Sequence, residues 1–596
     1  MANKIFESHN IDLDFLLKEI KLGRIGLPDL QRPFVWANEK VRNLYDSMLK
    51  GFPIGYIMLW ESPENYSSKM EDIGLNDKEL KSPKSLIIDG QQRLTALVAT
   101  MYGIKVKDKN FKERNIKICY NPLREVDRFE NWSVAYERNP EWISDLSVVF
   151  LAKEQNTLSK LRRAYIKRLN ESYEKNNLPI LTDEQEDLIE NRLNELLGLE
   201  KYPVPVLDIY RSASEEEVAE IFVRVNSGGQ KLNENDFILT LLSVYAKEDR
   251  DKIDSFCEKS HIPAAGTSYN NLLIVEPVHL VRMIVGVGFK RARLRYAYML
   301  LRGKDLDSGI VTEERRNENL AVFGAALSTV IDLNNWHAFL NIIAQGGYVS
   351  SKLIAADNSI VFSYILYLIA KYEFHLENQK LSSLFRRWFF MVSVTSYFSS
   401  SVETDAEKLF ADMKTLKNAD ELAAYLSSVI DSRLTEDYFA ITLPKDLESS
   451  AAISPHWYAY LASQNILNIP MLFSTSHLAM FLLPGAHGNK NAVDKHHIFP
   501  KNYLTSIGID SDRERNQIAN YTYLDYQTNI AISDRPPADY INEFIQKLGE
   551  DNFKLMCENH ALPQGFDTME YNEFLKERRV LMAKLIQKAY KRLCQG

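Results

Sequence analysis

The chain has 596 residues, 45% of them hydrophobic and 26% charged, a composition typical of a folded protein too long for one ordinary core. Its 72 basic and 80 acidic residues give a formal charge of −8, which excludes a surface uniformly coated with basic side chains. Polar residues interrupt the long apolar runs, the start is polar, and the four scattered cysteines form no C-x-x-C pair, so we expect no membrane partner, no signal peptide and a cytoplasmic location.

The first polar segments lie between predicted strands and helices. P-D-L-Q-R-P-F-V-W precedes a predicted helix, and the strand-like run G-F-P-I-G-Y-I-M-L-W-E follows that helix. Next, S-L-I-I-D-G-Q-Q-R-L-T-A-L-V-A-T-M predicts a buried strand from Leu86 to Ile88, a turn at Asp89 and Gly90, and an apolar helix from Arg93 to Met101. The polar segment Asp89 to Arg93 thus lies between a core strand and a helix N-terminus. Charge in such a position is costly unless a ligand or a buried partner satisfies it.

Two interpretations of the segment D-G-Q-Q-R are open. In one, Arg93 binds a phosphate, Asp89 binds a metal or a ribose hydroxyl, and Gln91 or Gln92 orients a water. In the other, Asp89 and Arg93 form a buried ion pair that ties the domain together. The later segment F-V-R-V-N-S-G-G-Q-K-L favours the first, because consecutive glycines allow backbone N–H groups to form an anion-binding nest.

The middle of the chain contains a predicted insertion and a helical region. Residues 110–206 form the insertion, and its basic helix is predicted to be a solvated face because an acidic stretch follows it. Residues 241–446 have the pattern of successive helices. Within them, F-K-R-A-R-L-R-Y-A-Y-M-L-L-R-G-K is interpreted as a solvated face or as a helix that contacts phosphate through Arg291, Arg293 and Arg295.

Near the C-terminus, V-D-K-H-H-I-F-P contains the one His-His pair among the 11 histidines. An imidazole titrates near neutrality, so His497 can act as a general base while His496 binds a divalent metal. The segment N-Q-I-A-N-Y-T-Y-L-D-Y-Q-T-N follows and carries Asn516, Asn520 and Asn529. A side-chain amide oxygen there could complete a metal site and fix the histidine-bearing backbone. If Asp494 is the ligand instead, strand alternation puts it on the face of His496. This order of His and Asn is the pattern of an HNH nuclease, whereas the alternative is a surface histidine pair in a loop.

The final segment, Y-N-E-F-L-K-E-R-R-V-L-M-A-K-L-I-Q-K-A-Y-K-R-L, is predicted to be an amphipathic helix. Its leucines, valine and isoleucine are expected to pack against the protein. Its basic residues are left for solvent or DNA: Lys576, Arg578, Arg579, Lys584, Lys588, Lys591 and Arg592.

These segments resemble a known family at both ends of the chain. D-K-H-H-I-F-P-K-N-Y-L, I-A-N-Y-T-Y-L and T-N-I-A-I-S-D-R-P-P-A-D-Y-I resemble the HNH module of GmrSD-type modification-dependent (type IV) restriction enzymes. The resemblance implies a ββα-metal hairpin and helix that hold Mg²⁺ or Mn²⁺. It implies catalytic roles for His497, as general base, and Asn520, as structural asparagine. The implied metal ligands are His496 and Asn529, with Asp494 as the alternative; many relatives have Asp where this chain has His496.

The three N-terminal segments resemble the N-terminal module of the same family, whose fold is similar to the ParB and sulfiredoxin group. The resemblance implies binding and hydrolysis of a nucleoside triphosphate, either GTP, ATP or another. Leu30 stands where relatives commonly have an aromatic residue. The implied nucleotide-binding residues are Gln31, Arg32, Asp89, Gly90, Gln91, Gln92, Arg93, Asn226, Gly228 and Gly229.

The predicted fold class is therefore α+β multidomain. A ParB/sulfiredoxin-like α/β domain is expected over residues 1–240, with the insertion at about 110–206. An all-helical domain is expected over residues 241–446, and a ββα-metal HNH nuclease domain over residues 447–596.

The resemblance implies an antiphage-defence DNA endonuclease that cuts or nicks modified phage DNA under nucleotide control. Its expected partners are double-stranded DNA and a nucleoside triphosphate, and a homodimer is left open. One alternative is a nucleotide-gated, ParB-like DNA clamp with a vestigial HNH site. Others are an RNA-directed nuclease and a phosphorothioate-sensing nickase related to SspE-like and BrxU-like defence proteins.

Overall fold

The computed structural model describes residues 4–26, 34, 36–61, 84–108, 113–213, 217–218, 221, 234–305, 308–451, 453–483 and 493–595. It divides into two compact units, Met1–Tyr245 and Ala246–Gly596. Five predicted site residues lie outside the described residues: Gln31, Arg32, Asn226, Gly228 and Gly229. The predicted separation of the second unit into a helical and a nuclease domain remains a prediction.

The first unit is built on a five-stranded mixed sheet of order β1-β9-β3-β4-β2. The β1–β9 and β3–β4 pairs are antiparallel, whereas β3–β9 and β2–β4 are parallel. Four consecutive residues of β3, from Ile57 to Trp60, are buried, as expected for an inner strand covered on both faces. The strands are β1 (Phe6–Asp12), β2 (Ile25–Gly26), β3 (Ile57–Glu61), β4 (Ser85–Asp89) and β9 (Pro203–Ile209).

The segment of chain between β4 and β9 contains further short strands as well as helices. Two short antiparallel pairs lie there, β5–β6 (Val106–Lys107, Glu113–Arg114) and β7–β8 (Ile118–Tyr120, Phe129–Asn131). The helices of the unit are α1 (Leu13–Lys21), α2 (Asn38–Leu49), α3 (Gln91–Tyr102), α4 (Val134–Arg138), α5 (Ser147–Glu154), α6 (Leu158–Lys175), α7 (Asp183–Gly198) and α8 (Glu234–Tyr245).

The second unit begins with a long run of helices. They are α9 (Lys247–Lys259), α10 (Pro277–Phe289), α11 (Leu294–Leu301), α12 (Glu313–Val330), α13 (Leu333–Gln345), α14 (Asp357–Tyr372), α15 (Asn378–Val394), α16 (Val402–Met413), α17 (Ala419–Arg433) and α18 (Leu443–Asp446). The basic segment predicted as one helix is interrupted, because Lys290 adopts a φ of 53° and ends α10. Arg291 and Arg293 therefore precede α11, and Arg295 lies in its first turn.

The C-terminal part of the second unit contains one antiparallel strand pair, β10 (Val493–His497) and β11 (Tyr521–Asp525). Helix α23 (Tyr526–Ile532) follows β11 directly. The other helices are α19 (Pro455–Ile466), α20 (Leu478–Leu482), α21 (Lys501–Ser506), α22 (Asp512–Arg515), α24 (Pro537–Leu548), α25 (Glu550–Asn559) and α26 (Tyr571–Gln595). In the ranges described above, none of the helices is both long and apolar enough to cross a bilayer.

The coarse fold class is confirmed, since a small mixed sheet in the first unit is combined with many helices. The finer assignments to the ParB/sulfiredoxin and ββα-metal folds belong to the proposal below.

Candidate functional site

The two adjacent histidines lie at the end of β10, directly across from the start of β11. His497 pairs with Tyr521 and His496 with Thr522. Successive residues of a strand point to opposite faces, so the two imidazoles have different surroundings. His496 is only 9% exposed, whereas His497 is half-buried.

The imidazole of His497 is held by an asparagine and a tyrosine. Its Nε2 lies 3.1 Å from Asn516 Oδ1, and the hydroxyl of Tyr521 donates to the same oxygen at 3.2 Å. The Tyr521 ring also meets the His497 ring edge to face, with centroids 4.7 Å apart. Because an amide oxygen only accepts hydrogen bonds, Nε2 carries the hydrogen and Nδ1 keeps the lone pair.

The surroundings of His497 favour its neutral form. Burial lowers the pKa of His497 to about 4, a hydrogen bond to Asn516 opposes that shift, and the charge of nearby Lys501 adds to it. At neutral pH the ring is therefore uncharged and its Nδ1 can accept a proton, as a general base must.

His496 faces the helix that follows the strand pair. Its Nδ1 lies 2.8 Å from Asn529 Oδ1 in α23. An imidazole nitrogen and an amide oxygen from distant parts of the sequence thus converge, and both donor types fit a divalent cation such as Mn²⁺ or Mg²⁺. Asp494, two residues before His496, lies in register with Leu524, and its side chain is outside the described residues.

No cluster of three or more His, Cys, Asp or Glu side chains suited to a metal occurs among the side chains that the structure describes. Any cation at this site would therefore take its described protein ligands from His496 and Asn529. Water or substrate oxygens, or the carboxylate of Asp494, would complete its coordination.

Asn520 fixes the backbone around the histidines without contacting their rings. It is fully buried, its Oδ1 accepts from Phe499 N at 2.9 Å, and its Nδ2 donates to Phe499 O at 3.0 Å and Arg515 O at 3.3 Å. These bonds tie the turn after β10 to the segment before β11. Asn520 is thus a positioning residue in this geometry.

Arg578 of α26 also stabilises the segment around Asn520. Its Nη1 donates to Ala519 O at 2.6 Å, and its side chain is fully buried. The prediction that Arg578 faces solvent or DNA is wrong, because the helix face that it occupies packs inward beside Phe574 and Met582. Sequence reasoning also named Asn516 without a role and missed Tyr521, whose position across from His497 follows from the antiparallel pairing of the two segments.

In the first unit, the structure brings Asp89, Gly90, Gln91, Gln92 and Arg93 together where β4 ends and α3 begins. Gly90 is buried with a φ of 94°, a conformation that favours glycine. The two glutamines are half-buried in the first turn of α3, which starts two residues before the predicted position.

The guanidinium of Arg93 is bound by the protein itself. Nη1 donates to Ile54 O at 2.6 Å, while Nη2 donates to Tyr56 O at 2.7 Å and lies 3.3 Å from Asp89 Oδ2. A Cβ on Gly55, whose φ is 85°, would lie 2.4 Å from Arg93 Nη1. This is the ion pair of the second interpretation, and it fixes the loop before β3; direct binding of a phosphate by Arg93 remains a prediction.

The three arginines predicted to contact DNA surround one tyrosine. Arg291 and Arg295 each lie over the ring of Tyr296, at 5.2 and 5.3 Å, and Arg295 and Arg293 hold the pKa of Tyr296 below its usual value. Glu407 pairs with Arg291 at 3.3 Å and accepts from the N–H groups of Ala292 and Arg293. Part of the charge of this cluster is therefore neutralised within the protein.

Comparison with known proteins finds a family to which the first unit is similar. Residues 13–243 match the family described as GmrSD restriction endonuclease, N-terminal domain. The match covers nearly all of the first unit, whose sequence contains the three polar segments that resemble this family.

A particular relative extends the similarity beyond that domain. The chain is 24% identical over 556 residues to the Uncharacterized protein MJ0686 of Methanocaldococcus jannaschii, covering 89% of this chain and 86% of the relative. The resemblance to this protein therefore continues from the first unit well into the second.

Proposed function

We propose that the protein is a restriction-type DNA endonuclease of antiphage defence, with an HNH site at the β10–β11 pair and a regulatory nucleotide site in the first unit. The observation that carries the proposal is that each histidine of the dipeptide meets an asparagine from a separate segment, His497 with Asn516 and His496 with Asn529, on a chain whose residues 13–243 match the GmrSD restriction endonuclease N-terminal domain. The alternative, a histidine pair in a surface loop, is disfavoured because both histidines lie in strand β10 and each contacts an asparagine from a separate segment.

The chemistry follows from what each side chain can do. Hydrolysis of a phosphodiester requires that the attacking water lose a proton, and Nδ1 of the neutral His497 accepts it. Asn516 Oδ1 accepts from His497 Nε2 and from the hydroxyl of Tyr521, so Nδ1, on the other side of the ring, faces away from that oxygen. Asn520 keeps the turn after β10 in place. A divalent cation held by His496 and Asn529, with Asp494 as a further candidate ligand, would supply positive charge at the phosphate.

The antiparallel pairing of β10 with β11, which α21 and α22 separate in the chain, and the helix α23 directly after β11 support assignment of this part of the chain to the ββα-metal fold that the resemblance implies. We assign the nuclease to residues 447–596 and the preceding helices, residues 241–446, to a spacer that couples it to the first unit. A DNA clamp with a vestigial HNH site is disfavoured by the intact His497–Asn516 and His496–Asn529 contacts.

For the first unit we propose a ParB/sulfiredoxin-like fold that binds and hydrolyses a nucleoside triphosphate. Asp89, Gly90, Gln91, Gln92 and Arg93 form the described part of that site. The remaining candidates are Gln31, Arg32, Asn226, Gly228 and Gly229. A nucleotide changes the cutting rate only if it binds one conformational state better than another, and a tenfold change requires about 1.4 kcal/mol of differential binding.

The decisive experiment compares the wild-type chain with His497→Ala and Asp89→Ala on modified and unmodified phage DNA, with Mg²⁺ or Mn²⁺ and with or without nucleotide. We expect wild-type cutting that depends on metal, modification and nucleotide, no cutting by His497→Ala, and cutting that no longer responds to nucleotide in Asp89→Ala. The variant His375→Asn is a control at an exposed histidine of the second unit. Absence of wild-type cutting on every substrate would overturn the nuclease proposal.

A further inference from the structure

The last helix, α26, carries a groove lined by basic side chains that the proposed site does not use. Lys584, Lys588, Lys591 and Arg592 line it together with Gln587, and Leu467 at the end of α19 closes one side. We call these residues the basic groove. Its volume of about 370 Å³ leaves room for several water molecules or for phosphate groups.

The four cations share one face of α26, because their spacing of four, three and one residues follows the turn of the helix. Lysines four residues apart, such as Lys584 and Lys588, repel one another and destabilise an isolated helix. A negatively charged ligand would relieve this repulsion.

The groove keeps most of its positive charge. Lys591 pairs with Glu436 at 3.3 Å, and Gln587 donates to the same carboxylate at 2.6 Å. Within the part of the chain that the structure describes, no carboxylate lies within ion-pair distance of Lys584, Lys588 or Arg592. In a chain of formal charge −8, such a surplus of local positive charge indicates an anionic partner.

The length of the groove favours a chain of phosphates over a single anion. Eight helical steps separate Lys584 from Arg592, which corresponds to about 12 Å along the helix axis. Neighbouring phosphates of one DNA strand lie closer together than this length, so the groove can contact more than one phosphate of a strand.

The groove is also fixed relative to the candidate nuclease site by α26 itself. Toward its N-terminus, α26 contacts the segment around Asn520: Tyr571 donates to Glu514 O at 2.9 Å, Arg578 to Ala519 O at 2.6 Å and Arg579 to Gln517 Oε1 at 3.0 Å. Ten residues, or about 15 Å, separate Arg578 from Lys588 along the same helix. A phosphate bound in the groove would therefore be held at a constant distance from His497.

We propose that the basic groove binds the phosphate backbone of duplex DNA and holds the substrate beside the nuclease site. The choice of DNA rests on the proposed function, whereas the phosphate chemistry rests on the groove. Contacts to phosphate fix position without reading sequence, so the groove should raise affinity for all duplexes alike.

The test replaces Lys584, Lys588, Lys591 and Arg592 together by Gln in the full chain that also carries His497→Ala, so that DNA is bound but not cut. Affinity for a short duplex is measured by fluorescence anisotropy over a range of salt concentrations. We expect the slope of log affinity against log salt to fall by about three units, at roughly 0.9 for each phosphate that the protein no longer neutralises. The matched control replaces Lys160, Arg163, Lys167 and Lys175, four exposed basic residues of α6, and should leave the slope unchanged.

Two further variants keep the outcome interpretable. A charge-preserving set, in which Lys584, Lys588 and Lys591 become Arg, should retain the wild-type slope, and Lys588→Gln alone should lower it by about 0.9. An unchanged slope in the fourfold Gln variant, or tighter and more salt-dependent binding of duplex RNA than of DNA, would overturn this inference without bearing on the nuclease, whose activity is measured in the wild-type chain. Absence of cutting by the wild-type chain, together with a lowered slope in the fourfold Gln variant, would instead refute the proposed function alone.

Discussion

His497 Nε2 and Asn516 Oδ1 lie 3.1 Å apart, and the hydroxyl of Tyr521 points at the same oxygen from 3.2 Å. The asparagine oxygen can serve only as acceptor, so this contact selects the tautomer of His497 and leaves Nδ1 as the basic nitrogen. The orientation of the base thus depends on a residue 19 positions downstream.

We predict that Asn516→Ala lowers kcat for DNA cutting about tenfold, the equivalent of one hydrogen bond of about 1.4 kcal/mol, and leaves KM unchanged. Asn516→Asp keeps an acceptor oxygen and should retain most of the rate. Steady-state kinetics on a defined duplex provides both constants. Equal losses in the two variants would show that Asn516 supports the fold and not the tautomer.

His497→Ala should remove about two to four orders of magnitude from the cutting rate, because a general base is lost, while DNA binding and nucleotide hydrolysis persist. Activity within threefold of wild type would contradict the assignment. The comparison with His375→Asn, at an exposed histidine, controls for the loss of an imidazole as such.

His496→Ala and Asn529→Ala should instead raise the Mg²⁺ or Mn²⁺ concentration needed for half-maximal cutting, because each removes one donor of a converging pair. Metal titrations of activity measure this shift, and excess metal should restore part of the rate. If Asp494→Ala behaves in this way and His496→Ala does not, Asp494 is the ligand.

Arg93→Ala should abolish nucleotide hydrolysis and its effect on cutting, because Ile54 O, Tyr56 O and Asp89 all lose a donor. Arg93→Lys should fail similarly, since an ammonium group cannot reproduce the two-pronged geometry. Nucleotide hydrolysis and nucleotide-dependent cutting are the measurements.

Glycine variants test the contact between Arg93 and the loop before β3 through the loop residues. Gly55→Ala should reproduce the loss, because its Cβ would lie 2.4 Å from Arg93 Nη1, whereas Gly51→Ala meets nothing within 4 Å. Both positions have positive φ, so both substitutions share a backbone cost of about 1–2 kcal/mol and differ only in the clash. Equal nucleotide hydrolysis in the two variants would argue against a role for the Arg93 contact.

Replacing Arg293 and Arg295 by Ala should lower the salt slope of DNA binding by about 1.8 units, at 0.9 for each phosphate contact. Adding Arg291→Ala should change the slope little further, because Glu407 already neutralises Arg291. Anisotropy titrations with duplexes of different sequence should show no change in preference. A slope that does not change would show that these arginines face solvent and do not contact phosphate.

The stability of the second unit should fall as the pH is lowered from about 6.5 to 4. Burial lowers the pKa of His560 from 6.5 to about 4, and the neutral ring fits its partners: Nε2 donates to Pro470 O at 2.9 Å, and Nδ1 accepts from Gln464 at 3.1 Å. The unfolded chain binds a proton near pH 6.5 and the folded chain does not, so stability is lost across this window.

The expected loss at His560 is on the order of 3 kcal/mol. Chemical denaturation at several pH values, compared between the wild type and His560→Gln, isolates this contribution. The stability difference between the two proteins should shrink toward pH 4, and a constant difference would contradict the prediction.

Local patterns predicted much of the described structure, and the reasons for the exceptions are physical. The run S-L-I-I-D-G-Q-Q-R predicted β4, the turn at Gly90 and the start of α3 within two residues, because apolar periodicity and glycine act locally. The N–H groups that follow the break at Lys290 donate to Glu407, which lies more than 100 residues away, and such a distant contact is not visible in a local pattern.

The site shows the same division between local and distant effects. The His-His pair and the three asparagines were recognisable in sequence, but which asparagine contacts which ring is decided by the register of β10 and β11. Arg578 was wrongly predicted to face solvent or DNA, because an arginine among lysines indicates a solvent-exposed helix face. Its burial and its hydrogen bond to Ala519 O depend on tertiary packing.

Because adjacent strand residues face opposite ways, the neighbouring rings of His496 and His497 meet different partners, Asn529 for the first and Asn516 for the second. A deletion of one residue within Val493–His497, or a slip of the pairing by one position, would exchange the surroundings of the two rings. The length of this hairpin arm is therefore expected to tolerate substitutions far better than insertions or deletions.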